Sequence, residues 1–241
     1  MPLEHLFFIY AVFAAAYLVR GITGFGSALV AVPILTILLP VSFTVPVICV
    51  SDLLASIIHG FGNRRHIQWS TIFRLLPATL AGIGAGIIML KKIDPGVLAQ
   101  GLGFFVAGYG FYSLFAMTPT ERGNWWAAPA GFFGGSVGAV FGTGGPFYVM
   151  FLQLKGYDKQ VFRATIATIF IADGIFRLIG FAAGGLYDRQ KVLIILGILP
   201  VMVAGLFLGG LIHRRISRKN FNRVISVCLI VSGLALLIKY G

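Results

Sequence analysis

The sequence predicts an all-α, polytopic transmembrane helical bundle built from two homologous, inverted repeats with broken, re-entrant glycine-rich helices. Three observations lead there: a composition that water cannot solvate, apolar runs of helix length, and landmarks that recur in one order in both halves. Of the 241 residues, 58% are hydrophobic and 11% are charged, and the mean hydropathy is +0.94. Soluble domains carry about 25% charged residues. A soluble fold of this size could not hide so much apolar surface, so lipid is the solvent for most of the chain.

In order, the apolar segments run over 3–20, 24–40, 43–61, 71–90, 97–117, 126–141, 145–155, 162–184, 191–212 and 221–239. Most match the roughly 17–25 residues a helix needs to cross a bilayer, not the alternating strands of an outer-membrane barrel. The opening Met1-Pro2-Leu3-Glu4-His5 lacks the basic n-region of a secretory signal and is expected to be retained. Two breaks interrupt the pattern. Gly21-Ile22-Thr23-Gly24-Phe25-Gly26 precedes the second segment, and Gly142-Thr143-Gly144-Gly145-Pro146 precedes 145–155, which is too short to span alone.

The breaks belong to a repeat. Leu76-Pro77 is followed by Ala81-Gly82, Gly86 and Lys91-Lys92-Ile93; Leu199-Pro200 is followed at the same offsets by Ala204-Gly205, Gly209 and Arg214-Arg215-Ile216. Gly110 matches Gly233, Asp52 matches Asp173, and Gly24 and Gly26 match Gly142 and Gly144 after a few residues of slippage. Each half reads as glycine-rich break, acidic helix, Pro/Gly helix, basic turn and last helix. The expected units are 1–117, a connecting loop at 118–126, and 127–241. If each break turns a re-entrant hairpin, the loops at 62–74, 118–126, 155–163 and 213–223 share one side and hold most of the Lys and Arg. The positive-inside rule then favours inverted repeats with that side in the cytoplasm.

Paired, interrupted hydrophobic segments point to a transport site. Backbone amides cannot stay unpaired in hydrocarbon, so an unwound segment survives only where protein or water satisfies it. Glycine lets the chain turn there and lets a ligand approach the backbone. The helix that restarts after the break aims its positive end at that spot, which favours an anion. The candidate backbone ligands are Gly24, Gly26, Gly142, Gly144 and Gly145, with the hydroxyls of Thr23, Ser27 and Thr143 either capping helix starts or binding oxyanion oxygens. The Gly/Ala-rich stretch 81–86 reads as close helix packing.

Four ionisable residues, Arg20, Asp52, Asp173 and Arg177, fall within apolar stretches or at their breaks. Each costs at least about 2.5–3.5 kcal/mol to insert and by default marks a pathway or site. Asp173 and Arg177 are four apart on one helix face and can pair, leaving guanidinium donors for a ligand. Arg20 either snorkels to the interface or supplies countercharge. Asp52 has only Ile48 and Ser56 at i±4, so its partner is a nearby break or a basic group on another helix. Asp52 and Asp173 are also candidates for proton coupling, since a partly buried carboxylate can load and release a proton.

The net charge of +12 comes from short loops, including Arg64, Arg65, Lys91, Lys92, Lys155, Lys159, Arg214, Arg215, Arg218 and Lys219. That placement sets topology and meets lipid headgroups rather than nucleic acid. Cys49 and Cys228 sit in apolar runs and read as buried hydrophobes. His59 and His66 read as solvated or interfacial, and no cluster has metal-ligand spacing. The Gly-x-Gly strings follow no strand, so no nucleotide cofactor is expected. The alternative functions are a passive anion channel, a membrane assembly factor, or an intramembrane hydrolase with Ser27 as nucleophile and His59 as base.

Gly24-Phe25-Gly26-Ser27 with Pro33, and Gly142-Thr143-Gly144-Gly145-Pro146, resemble the duplicated glycine-rich signature of the sulfite exporter TauE/SafE family. Asn63-Arg64-Arg65 and the Pro/Gly helices at 77–86 and 200–209 fit it too, so the likeness spans nearly the whole chain. Ser27 and Ala28 stand where that family commonly has glycines. The resemblance implies a secondary transporter, not an enzyme, that moves small sulfur-containing anions such as sulfite or organosulfonates across a prokaryotic inner membrane. The expected mechanism is alternating access by rocking one half against the other around a single anion site, with Arg20 or Arg177 as countercharge.

Overall fold

The computed structural model describes residues 3–24, 26–60, 64–115, 124–212 and 218–241. Among them the chain forms ten α-helices and no strand: α1 (Leu3–Thr23), α2 (Ser27–Thr36), α3 (Val41–Gly60), α4 (Trp69–Lys92), α5 (Pro95–Phe115), α6 (Ala127–Phe141), α7 (Gly145–Gln153), α8 (Lys159–Ala183), α9 (Arg189–Ile212) and α10 (Arg218–Tyr240). Among the described residues, α1, α3, α4, α8 and α9 each carry a window long and apolar enough to cross a membrane. Side chains such as Phe7, Phe104, Phe207 and Ile238 stand exposed on the outside, as they do where lipid replaces water. The protein is a multi-pass integral membrane protein.

Each expected segment corresponds to one helix. The largest difference is α2, expected over 24–40 and observed only as Ser27–Thr36. The Leu39 N–H still bonds to the Leu35 carbonyl at 2.8 Å, but Pro40 follows, and its ring disfavours helical geometry at Leu39. Both helices that follow a break, α2 and α7, are therefore half-length. Most of the expected 118–126 loop, the basic residues Arg214 and Arg215, and the side chains of His59, Arg64, Lys159, Arg218, Lys219 and Cys228 lie outside the described residues.

The acidic side chains that are described divide by role. Asp158 caps α8, accepting from the Gln160 and Val161 N–H groups at 2.8 and 2.9 Å. Asp94 caps α5 by accepting from Gly96 N–H at 2.7 Å. At the start of α9, Asp188 accepts from Lys191 N–H at 2.8 Å and pairs with Lys191 Nζ at 3.0 Å. These bonds hold the Asp188 carboxyl below the ordinary range. Only Asp52 and Asp173 remain, and both lie inside.

The helices pack in reciprocal pairs: α1 on α9, α4 on α6, α5 on α10 and α3 on α8. The α4–α6 and α1–α9 seams bring backbones into contact. A Cβ on Gly131 would stand 2.6 Å from the Leu75 carbonyl oxygen, and one on Gly21 would stand 2.6 Å from that of Leu206. Gly82 and Gly86 lie in the same α4–α6 seam, so the 81–86 stretch is a packing surface. Small residues are what allow this approach in a membrane, where dispersion replaces the hydrophobic effect between helices. In the α3–α8 pair, buried Cys49 sits with its Sγ 3.8 Å from the Gly174 carbonyl oxygen.

Gly131→Ala is expected to lower the melting temperature of the detergent-solubilised protein, because overpacking costs about 1–3 kcal/mol. Gly84→Ala, whose added Cβ would meet nothing within 4 Å, is expected to leave it unchanged or slightly raised. Equal melting temperatures for the two variants would contradict the tight α4–α6 seam.

Candidate functional site

Both breaks begin alike. Gly24 has φ 86° and Gly142 has φ 71°, the left-handed conformation that ends a helix and that glycine adopts freely. The Gly24 N–H bonds to the Arg20 carbonyl at 2.6 Å, and the Gly142 N–H to the Gly138 carbonyl at 2.9 Å. Each break therefore closes α1 or α6 with a backbone bond and releases the chain into α2 or α7.

At the first break, Arg20 does not snorkel: it is 5% exposed. Its Nη1 lies 2.7 Å from Asp52 Oδ1 and donates to Ser27 Oγ at 3.0 Å. Its Nη2 donates to the Asp52 carbonyl at 3.2 Å and to Ser56 Oγ at 2.7 Å. Asp52 Oδ1 also accepts from the Tyr17 hydroxyl at 2.9 Å and from Ser27 Oγ at 2.6 Å. Asp52 is thus joined both to the break and to a basic group on another helix. This density of bonds offsets the desolvation that a buried ion pair otherwise suffers.

The second break uses the same groups differently. Arg177 Nη2 pairs with Asp173 Oδ2 at 2.7 Å within α8, and Nη1 donates to the Gly138 carbonyl at 2.9 Å. Asp173 Oδ1 accepts from the Tyr148 hydroxyl at 2.9 Å. Arg20 stands four residues before Gly24, where Gly138 stands before Gly142; Ser56 stands four after Asp52, where Arg177 stands after Asp173. Each aspartate has one arginine, delivered by α1 in one case and by α8 itself in the other.

Between the breaks lies a cavity of about 40 Å³. Its walls include Arg20, Gly26, Asp52, Gly142, Thr143, Gly144, Gly145, Asp173 and Arg177 of the sequence-predicted set, together with Ala28, Leu29, Leu53, Ser56, Pro146 and Phe170. Thr23, Gly24 and Ser27 are not in the wall. The Thr23 hydroxyl donates to the Val19 carbonyl at 2.9 Å, and Ser27 is engaged with Arg20 and Asp52. Thr143 Oγ1 and Arg177 Nε are buried without a hydrogen-bond partner. The ionisable groups of the wall are two guanidiniums and two carboxylates, so with both pairs formed their charges cancel.

Sequence reasoning missed Tyr17, Ser56, Tyr148 and Phe170. Tyr17 lies three residues before Arg20 and Ser56 four after Asp52, so helical spacing from the charged residues was a usable signal for both. Tyr148 and Phe170 carried none. For the hydrolase alternative, the Ser27 hydroxyl is turned to a salt-bridged carboxylate, and the side chain of its proposed base, His59, lies outside the described residues.

A multi-pass bundle whose two unwound breaks enclose a cavity lined by paired charges has the construction of a secondary membrane transporter. The chain belongs to the sulfite exporter TauE/SafE family, whose sequence profile matches residues 8–236. It is a membrane transporter of that family. It is 29% identical, over 190 residues that cover 77% of this chain and 79% of the relative, to the probable inner membrane transporter protein TsaS of Comamonas testosteroni. No solved structure matches the chain.

Asp173→Asn is expected to destabilise the folded protein by about 3–5 kcal/mol, because it leaves the Arg177 charge buried and unpaired. Adding Arg177→Met should recover a large part of that loss. Reversible unfolding in mixed micelles measures both; a double variant no more stable than the single one would show that the pair does not neutralise itself locally.

Proposed function

We propose that the protein carries small sulfur oxyanions, sulfite or short organosulfonates, out of the cell across the inner membrane by proton-coupled alternating access. The observation that carries this reading is the convergence of both helix breaks on one small cavity flanked by Arg20 and Arg177. The cargo class is supported by the family and the inner-membrane location by the name of the relative.

Asp52 is the better candidate for the proton, because its side chain is 14% exposed against 2% for Asp173. A proton on Asp52 would give an otherwise neutral cavity one net positive charge, which an entering anion offsets. Proton and anion then favour one another at a site where neither is welcome alone.

The packing also supports two related repeats, 1–117 and 127–241, joined at 118–126; that they are inverted rests on the distribution of basic loops. α1 of the first half lies on α9 of the second, and α6 of the second lies on α4 of the first. These backbone-tight seams tie each half to the other. In this reading the rocking bodies are therefore the α1–α9 and α4–α6 pairs, moving about the α3–α8 contact, rather than the two halves themselves.

Proteoliposomes containing the purified protein are expected to show saturable flux of sulfite and of a short organosulfonate, and to accumulate them when a pH gradient is imposed. Asp52→Asn is expected to lower stability, because it leaves Arg20 without its carboxylate, and in the folded fraction to abolish gradient-driven accumulation while exchange of anion for anion persists. Flux that never concentrates the anion would instead indicate a channel, and absence of flux in folded protein would overturn the reading.

A further inference from the structure

We propose that the Arg177 Nε–H and the Thr143 hydroxyl are the paired donors that capture the anion, and that the cavity around them selects a singly charged one. The inference rests on the transport reading above and deepens it. It discriminates between the two arginines and among the three hydroxyls that the sequence leaves equivalent.

The first half is already satisfied. Both terminal nitrogens of Arg20 are engaged by Ser27, Asp52 and Ser56, and the Ser27 hydroxyl donates to Asp52. Those groups form a closed knot. In the second half, Arg177 is 6% exposed and Thr143 3% exposed, both line the cavity, and Arg177 Nε and Thr143 Oγ1 have no partner. Buried donors are nearly always satisfied, so two orphans in one cavity wall mark the place of a missing acceptor. An N–H and an O–H together ask for a headgroup with at least two acceptor oxygens. The start of α7 at Gly145 adds its positive end on the same wall. Phe170, Pro146 and Leu29 supply apolar wall for a short substituent.

Charge selection follows from the ion pairs. Arg20 and Arg177 bring no net charge to the cavity, because Asp52 and Asp173 cancel them. Even the single proton proposed for Asp52 offsets only one negative charge. A dianion therefore leaves an uncompensated charge inside the membrane, which is strongly disfavoured.

Methanesulfonate and sulfate present similar S–O acceptors and differ by one charge. Isothermal titration of the purified, detergent-solubilised protein with each is expected to show saturable binding of methanesulfonate and weak or no binding of sulfate. Thr143→Val and Arg177→Lys, the latter keeping the charge opposite Asp173 but removing Nε–H, should each weaken methanesulfonate binding by roughly ten- to a hundredfold. Thr143→Ser should bind like wild type, which separates loss of the hydroxyl from loss of fold. If Thr143→Val and Arg177→Lys bind methanesulfonate as wild type does while sulfite flux persists, the donor pair is wrong and the transport reading stands. Equal affinity for sulfate overturns the charge selection. Should wild type neither bind nor carry any of these anions, the inference falls together with the reading it rests on.

Discussion

Charge cancellation inside a low-dielectric interior is the constraint on which the rest of this structure depends. Two guanidiniums and two carboxylates lie where lipid surrounds the protein, and none can remain without a partner. The pairing of Arg20 with Asp52 and of Arg177 with Asp173, at 2.7 Å each, meets that demand locally. The tyrosine hydroxyls of Tyr17 and Tyr148 then fill one further acceptor position on each carboxylate. What remains is a cavity with hydrogen-bonding capacity and little net field.

The two halves reach this neutrality by different routes, and the difference has a functional meaning. Placing one arginine on α1 draws Ser27, Asp52 and Ser56 into a single closed network that fixes the first break. Placing the other on α8 leaves Gly138 as the corresponding residue on α6. That position has no side chain: a Cβ on Gly138 would sit 3.6 Å from Gly144 Cα and 3.7 Å from Asp173 Oδ1. Arg177 reaches across to the Gly138 carbonyl instead, and its Nε stays buried without a partner. Similar backbone frames thus produce one side suited to structure and one suited to a ligand. The glycine seams join α1 to α9 and α4 to α6 at backbone contact; in the proposed transport cycle these pairs are the moving bodies.

Much of the fold was legible in the sequence because hydropathy encodes helix length directly, and glycine and proline encode where helices stop. The segments, both breaks and the Asp173–Arg177 pair could be read from runs and spacings along one helix. The Arg20–Asp52 pair could not be assigned in the same way, since it joins groups 32 residues apart and depends on how α1 lies against α3. The sequence left Thr23, Ser27 and Thr143 each as either a helix cap or an oxyanion ligand, and could not separate Ser27 from Thr143. Packing separates them: one hydroxyl meets a carboxylate and the other meets none. Hydropathy alone overstates the length of α2. Ile37, Leu38 and Leu39 continue its apolar run, while Pro40 ends the helix through backbone sterics, which no hydropathy value records.

The transported anion is expected between the two breaks, on the second-half wall. The most direct test is crystallographic: crystals grown with selenite, the selenium counterpart of sulfite, examined at the selenium absorption edge. A single anomalous peak within hydrogen-bonding distance of Thr143 Oγ1 and Arg177 Nε is the predicted result. A peak elsewhere in the bundle, with this cavity empty, would contradict it.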